Sequence, residues 1–262
     1  MNTLFSPKRF ALAFRRLMVE KGIKMFGSIL IILFVILLFM NINVTPGTYF
    51  NIQSIFLVLG LMFGPVLYMA VIANEFTNQS KGIAYLMLPN STFEKWLLNN
   101  VVVIAIYFIV FSGLFRLLDL WMIGRLEANF DLHNAGIQPI AFDSEIYQIA
   151  ALVGTGISLA ILLGSHYFKK NSLIFTLVIL FVGFIIVFIG DHFIANALFD
   201  GRVLFGDSAP FGSVYISNIE HNHREVLLES QINPQQTIKY IFIPILAVLS
   251  ITYFVRLKEK EL

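Results

Sequence analysis

The stretch that decides the fold runs from Asn74 to Asn100 and reads NEFTNQSKGIAYLMLPNSTFEKWLLNN. It is a polar interval between two long apolar runs. Near its end Ser91 stands three residues before Glu94, which is the spacing of a capping box that starts a helix into the next apolar run. If the two flanking runs cross a membrane, this interval is a loop at the bilayer surface.

The composition indicates a polytopic membrane protein. The 262 residues are 58% hydrophobic and only 13% charged, with a mean hydropathy of +0.80, which excludes an ordinary soluble domain. The net charge of +2 gives a nucleic-acid partner no electrostatic support. Because there is no cysteine, disulfides and thiolate metal sites are excluded. Basic residues scattered through Met1 to Lys24 argue against a cleavable signal peptide.

Six apolar runs predict six membrane-spanning helices, since about 20 helical residues cross ~30 Å of hydrocarbon. The predicted spans are 25–44, 52–73, 101–123, 146–168, 173–190 and 238–255. The predicted fold class is therefore all-α, with a single transmembrane domain over residues 1–262.

A further helix is predicted before the first span, over residues 6–22. Ser6 is suited to the N-cap and Pro7 to the first helical position, while Gly22 permits a bend. Apolar and basic residues separate onto different faces: Phe10, Ala13, Phe14, Leu17 and Met18 against Lys8, Arg15, Arg16 and Lys21. This pattern predicts an amphipathic helix that lies in the headgroup layer and contacts membrane lipids. The alternative is a plain cytoplasmic extension of the first span.

The distribution of charge predicts the orientation. With six spans, most lysines and arginines fall on the side that carries both termini, the 74–100 loop and the Lys169–Lys170 turn. The positive-inside rule makes that side cytoplasmic. The longest polar interval, 191–237, is then an outer segment, and its apolar patches predict short helices that dip into the interface.

Small residues predict where helices pack closely. The second span carries one such set and the fourth span another: Gly60 and Gly64, then Gly156, Ala160 and Gly164. Glycine and alanine four residues apart let neighbouring backbones approach each other.

Two further positions hold polar groups at the ends of spans. Arg116 and Asp119 are three residues apart, so they are predicted to pair along one helix face as an interfacial anchor rather than an intramembrane relay. His166, at the end of the fourth span, is predicted to be a surface histidine.

No catalytic motif is present. The sequence contains no P-loop, no His-Glu-x-x-His and no Gly-x-Ser-x-Gly. His221 and His223 are residue types that bind metals, but their spacing is common in polar loops. No metal, cofactor or catalytic residue is therefore predicted, and a membrane enzyme that uses the outer histidines is a minor alternative. The spans as predicted hold no mid-membrane carboxylate, which argues against an ion-coupled transporter.

Three short stretches carry a resemblance to a known family. They are GIAYLMLPNSTFEKWLLN at 82–99, GSHYFKKNSLIFT at 164–176 and YFVRLKEKEL at 253–262. The first is similar to a leucine-proline-x-serine-x-x-glutamate-lysine-aromatic signature in bacterial permease subunits of ABC-2 type transporters. The layout of six spans with a cytoplasmic loop after the second also resembles that family.

The resemblance implies an exporter subunit of the bacterial cytoplasmic (inner) membrane that pairs with a second permease copy or homologue. It implies separate ATP-binding cassette ATPase subunits, which would dock on the 74–100 loop through a coupling helix at about 76–88. The docking residues that it implies are Phe76, Lys81, Ile83, Tyr85, Leu86, Glu94 and Lys95. The outer segment 191–237 would correspond to re-entrant helices. A membrane scaffold or assembly factor without transport is the alternative.

Overall fold

The computed structural model describes residues 5–42, 48–77, 90–130, 138–168, 171–198, 214–218, 223–228 and 234–261. The helices of the first half are α1 Pro7–Ile42, α2 Tyr49–Thr77, α3 Thr92–Leu97, a π-helical turn Leu98–Val102, and α4 Val103–Phe130. The remaining elements are α5 Glu145–Tyr167, α6 Ser172–Leu198, β1 Val214–Asn218, β2 His223–Leu228 and α7 Pro234–Glu261. The segments α3, π turn and α4 follow one another without a break.

The prediction of six spans is confirmed. Within the described residues six helices are long and apolar enough to cross a membrane: Pro7–Asn41, Tyr49–Ala73, Thr92–Ala128, Glu145–Tyr167, Ser172–Ile194 and Ile238–Glu259. Each of these helices contains nearly all of one predicted span, and most of them extend beyond the predicted ends. A helix that has formed in an apolar run can continue into the polar residues beside it.

By internal contacts the chain divides into two compact units. The first comprises Met1–Leu173 and Ile245–Leu262, and the second comprises Ile174–Pro244. In the first unit a core forms between α1, α2, α4 and α5, and its fully buried apolar residues include Ile29, Met40, Leu61, Met69 and Phe111. The second unit holds most of α6, the two strands and the start of α7.

The 191–237 segment contains two paired β-strands. Strands β1 and β2 pair antiparallel, from Tyr215 opposite Val226 to Asn218 opposite His223, with a bulge between Val214 and Tyr215. The residues Val214, Tyr215 and Ile216 of β1 are of types that favour strands. The helical prediction therefore holds for the spans, whereas residues 214–218 and 223–228 do not form the short helices that the sequence suggested.

The first helix continues through Gly22 from Pro7 to Ile42, so the predicted helix 6–22 and the predicted first span form one helix. Its 36 residues correspond to about 54 Å at ~1.5 Å per residue, well beyond the hydrocarbon thickness. A single glycine weakens a helix by only about 1 kcal/mol. One buried stripe with a spacing of four runs straight through the position, from Leu17 and Lys21 to Met25 and Ile29.

The amphipathic face of α1 packs on protein. Phe10, Ala13, Phe14 and Met18 lie partly buried against the core of the first unit, and Leu17 is buried in it. The apolar face that was predicted to enter the headgroup layer is thus partly covered by the chain's own helices. Its periodicity was correct, but an apolar face does not by itself reveal whether lipid or protein covers it.

Glycine packing is confirmed in the second span and differs in the fourth. A Cβ added at Gly60 would lie 2.1 Å from the Phe111 ring, and one at Gly64 would lie 1.9 Å from the Tyr107 hydroxyl. In α5 the tightest approach is at Gly154, where a Cβ would lie 2.0 Å from the Leu61 carbonyl oxygen.

The predicted stripe of α5 has looser surroundings. A Cβ at Gly156 would meet only the Leu246 side chain, at 3.4 Å, while Ala160 is partly buried and Gly164 is buried. The close helix contact therefore lies two residues before the predicted stripe, on a neighbouring face of the same helix.

Candidate functional site: the Glu94 junction

The capping box predicted at the end of the polar loop is present. The Ser91 hydroxyl accepts a hydrogen bond from the Glu94 backbone N–H at 3.2 Å, and Glu94 Oε2 accepts one from the Ser91 backbone N–H at 3.0 Å. Ser91 has the extended backbone that an N-cap requires. The third span thus begins at the end of the loop rather than ten residues later.

The other carboxylate oxygen of Glu94 serves a second helix. Glu94 Oε1 accepts a hydrogen bond from the Ser6 backbone N–H at 2.6 Å and one from Arg9 Nη2 at 3.1 Å. Ser6 immediately precedes α1, and its carbonyl accepts the first helical hydrogen bond, from Phe10 N–H. One carboxylate therefore caps the starts of both α1 and α3. We call Ser6, Arg9, Ser91 and Glu94 the Glu94 junction.

The surroundings of Glu94 explain how a charged side chain is tolerated there. Its side chain is 0% exposed, and an unpaired carboxylate in such a place would be strongly destabilising. Two backbone N–H groups, the Arg9 guanidinium and the positive ends of two helices all point to this group. The charge is compensated only while α1 and α3 stay together.

Aromatic rings pack beside the junction. The Phe5 ring lies 5.7 Å from Phe10 and 6.4 Å from Phe93, and Phe93 stacks on Trp96 at 5.6 Å between ring centroids. Such ring pairs add about 0.5–1.5 kcal/mol beyond the area they bury. They connect the first residues of α1 to α3 independently of the hydrogen bonds.

The C-terminal part of α7 is attached to the same place. Trp96 Nε1 donates to the Ser250 carbonyl at 3.1 Å, Asn99 Nδ2 donates to the Tyr253 hydroxyl at 3.0 Å, and Asn100 Nδ2 donates to the Ser250 hydroxyl. The first, third and sixth spans are thus joined next to the end of the polar loop.

His166 lies at the edge of this region, and the prediction that it is a surface histidine is wrong. It is 8% exposed, and its ring packs edge-on against Tyr253 with 5.1 Å between centroids. Beside it, Arg256 Nε donates to the Tyr167 hydroxyl at 2.6 Å, and the guanidinium lies 4.3 Å from the Tyr167 ring centroid. The residues that cover His166 are about 90 positions away, so no local pattern could reveal them.

The docking residues implied by the resemblance fall into two groups. Glu94 is 0% and Lys95 is 2% exposed, so neither side chain forms a docking surface in this structure, which corrects that expectation. Lys81, Ile83, Tyr85, Leu86 and the side chain of Phe76 lie outside the described residues. For them docking stays a prediction.

Arg116 and Asp119 do not pair with each other, which corrects a further prediction. Asp119 is 1% exposed and accepts hydrogen bonds from the Tyr49 hydroxyl and Gln53 Nε2 of α2, both at 2.5 Å. Arg116 Nη1 instead donates to the Ile140 carbonyl at 2.7 Å. Arg116 and Asp119 thus each bind a partner outside their own helix, the Ile140 carbonyl and the two α2 side chains respectively.

The two histidines that could bind a metal lie in the 191–237 segment. His221 lies outside the described residues, and only the backbone of His223 is described. Among the side chains that the structure describes, no group of three or more His, Cys, Asp or Glu residues could hold a metal ion.

No protein-family model, curated protein sequence or solved structure matches this chain.

Proposed function

We propose that this chain is the permease subunit of an ATP-binding cassette transporter, an exporter of the bacterial cytoplasmic membrane that a separate ATPase subunit drives. The observation that carries the proposal is the bond between Glu94 and both Ser6 and Ser91, directly beside the polar loop. A permease that is driven from outside the membrane needs a firm connection between one surface loop and several spans. The Glu94 junction supplies such a connection.

A displacement of the loop would follow a short path. It reaches Ser91 first, passes through the Glu94 carboxylate to α1, and passes through Trp96 and Asn100 to Ser250 on α7. Hydrogen bonds that are shielded from water are stronger than exposed ones. A pull on the loop would therefore act on the start of the third span and, through it, on the first and sixth spans.

The ATPase is expected to bind the part of the loop that precedes the junction. Phe76, Lys81, Ile83, Tyr85 and Leu86 are the proposed contacts, whereas Glu94 and Lys95 act inside the chain. Nucleotide binding is assigned to the partner because this sequence has no P-loop. A second permease copy or homologue would complete the pathway across the lipid bilayer.

The test is isolation of the tagged chain from its native membranes in mild detergent. We expect an ATPase with Walker motifs to copurify, and we expect Phe76→Ala and Tyr85→Ala to reduce its recovery. Glu94→Gln should leave recovery intact but uncouple ATP hydrolysis from transport. Its matched control is Glu20→Gln, since Glu20 only pairs with Arg16 at the surface. A stable complex without any nucleotide-binding subunit would overturn the proposal.

Cysteine labelling distinguishes a transporter from the alternative, a membrane scaffold. The chain has no native cysteine, so single cysteines can be placed along the first, second and fifth spans without background. A transporter predicts that ATP changes their reaction with maleimide in the complex with its partner. A scaffold predicts the same reaction rates with and without nucleotide.

A further inference from the structure

The third span changes its helical form just after the Glu94 junction. Residues Leu98–Val102 form a π-helical turn between the α-helices Thr92–Leu97 and Val103–Phe130, and Val103 N–H donates to the Leu98 carbonyl five residues earlier. Such turns hold one extra residue in an otherwise regular helix and are concentrated at functional positions. The extra residue here lies between the segment bound to α1 and the long membrane-spanning part.

The π turn sets which partners the two parts can contact. In an uninterrupted α-helix Asn100, Tyr107 and Phe111 would share one face, because residues 7 and 11 apart align. Here Asn100 bonds to Ser250 of α7, whereas the Tyr107 hydroxyl bonds to the Gly60 carbonyl of α2. The extra residue turns the two faces apart.

Side chains within the turn hold it in this form. Asn99 and Asn100 are both buried, and each donates its amide N–H to α7, to the Tyr253 and Ser250 hydroxyls respectively. The Asn100 amide oxygen is buried without a hydrogen-bond partner. A buried polar atom in that state destabilises the conformation that contains it. The arrangement is therefore held by the two hydrogen bonds to α7 and opposed by the unmet acceptor of Asn100.

We propose that Leu98–Val102 is a conformational switch between π- and α-helical forms, which Asn99 and Asn100 lock through α7. If those bonds break and the turn becomes α-helical, the segment Thr92–Leu97 rotates against Val103–Phe130 by one residue step, about 100° and ~1.5 Å. Glu94 would carry that rotation to α1. A role of this switch in coupling ATP hydrolysis to transport rests on the function proposed above. The change between π- and α-helical forms does not, because it needs only residues of this chain.

The switch is measured by spin labels in the isolated chain. Cysteines replace Leu97 and Ile109, which lie on opposite sides of the turn in a chain without native cysteine. Double electron–electron resonance then reports the distance between the labels. We expect the Asn99→Ala/Asn100→Ala double variant to shift the distribution toward a second distance. Ser112→Ala, which removes a hydrogen bond from α4 to Tyr147 of α5, should leave the distribution unchanged.

Deletion of Val101 is the complementary variant. It removes the extra residue, so both flanking helices keep their contacts while the turn becomes α-helical. We expect this variant to fold, to keep the original distance as a single population even with both asparagines replaced, and to slow amide hydrogen exchange across residues 98–103. If the deletion prevents folding, the label distances in the double alanine variant still show whether the turn changes its helical form.

One distance that is the same in all variants would overturn the switch. A shift in the double alanine variant combined with the failure of any ATPase to bind would leave the switch standing and reject the proposed function. Binding of an ATPase together with an unchanged distance between the labels would support the proposed function and reject the switch.

Discussion

The Glu94 carboxylate accepts a hydrogen bond from the backbone N–H of Ser6 at 2.6 Å, although the two residues are 88 positions apart in the chain. The same carboxylate closes the capping box with Ser91. A capping glutamate usually serves only its own helix. In this protein it also serves the helix that begins the chain, so the start of the third span and the start of the first span share one anion.

Removal of this shared anion should destabilise the protein more than removal of a surface charge. Glu94→Ala leaves the Ser6 and Ser91 N–H groups and Arg9 without their acceptor, which we expect to lower the free energy of unfolding by about 2–4 kcal/mol. The measurement is thermal or denaturant unfolding in detergent, followed by Trp96 fluorescence in a Trp121→Phe background, since the chain has two tryptophans.

Glu20→Ala is the matched control for that experiment. Glu20 forms an exposed pair with Arg16, and exposed pairs contribute about 0–1 kcal/mol. Equal effects of the two substitutions would contradict the importance of the Glu94 junction. Glu94→Gln should lie between them, because it keeps one oxygen acceptor and loses the charge.

The buried carboxylate at the other end of the third span predicts a second stability effect. Asp119→Ala leaves the Tyr49 hydroxyl and Gln53 amide buried without an acceptor, so we expect a loss of about 2–4 kcal/mol. Asp119→Ala and Tyr49→Phe should couple by about 1 kcal/mol or more in a double-mutant cycle. Asp143→Ala, at an exposed carboxylate, should change stability by about 0.5 kcal/mol or less. Additive effects at Tyr49 and Asp119 would show that their hydrogen bond contributes little.

Glycine substitutions in α4 and α5 should rank by the room available for a Cβ. Gly154→Ala would push a methyl group against the Leu61 carbonyl, and we expect a loss of about 1–3 kcal/mol from overpacking. Gly156→Ala meets only a movable leucine side chain, and Gly113→Ala meets nothing within 4 Å. Both should be neutral, or stabilising by up to about 1 kcal/mol. The reverse order in melting temperature would refute the packing at Gly154.

The orientation of the chain is tested by cysteine labelling in cells. The charge distribution predicts that Ser80→Cys and Lys169→Cys react with a membrane-impermeant maleimide only after permeabilisation. Asp207→Cys, in the outer segment, should react in intact cells. The opposite pattern would invert the topology and would place the polar loop on the wrong side for a cytoplasmic ATPase.

Several features could be predicted from the sequence because they depend only on residues that are close together in it. Uncharged runs of sufficient length predicted the six spans, because the bilayer leaves no other way to satisfy the backbone. Ser91 and Glu94 predicted the capped helix start, because both partners lie within one turn. The pair Gly60 and Gly64 predicted close packing, since the absence of a side chain at both positions leaves room for another helix.

Tertiary structure alone decided the partners. Ser6 and Arg9 meet Glu94, Asp119 takes Tyr49 and Gln53 in place of Arg116, and Tyr253 covers His166. Most of these polar residues were recognised in the sequence, but their hydrogen-bond partners were not. The partners depend on which helices pack against each other. The structure also decided two local points: residues 214–218 pair with 223–228 as strands, and the first helix continues through Gly22.

The sequence by itself thus determined a six-span membrane protein with a capped helix starting at the end of its polar loop. The tertiary structure decided that this capped start is also the anchor of the first helix and, through Asn99 and Asn100, of the sixth span. The physical reason is that burial of one carboxylate requires donors from several elements at once, and only the folded chain brings them together.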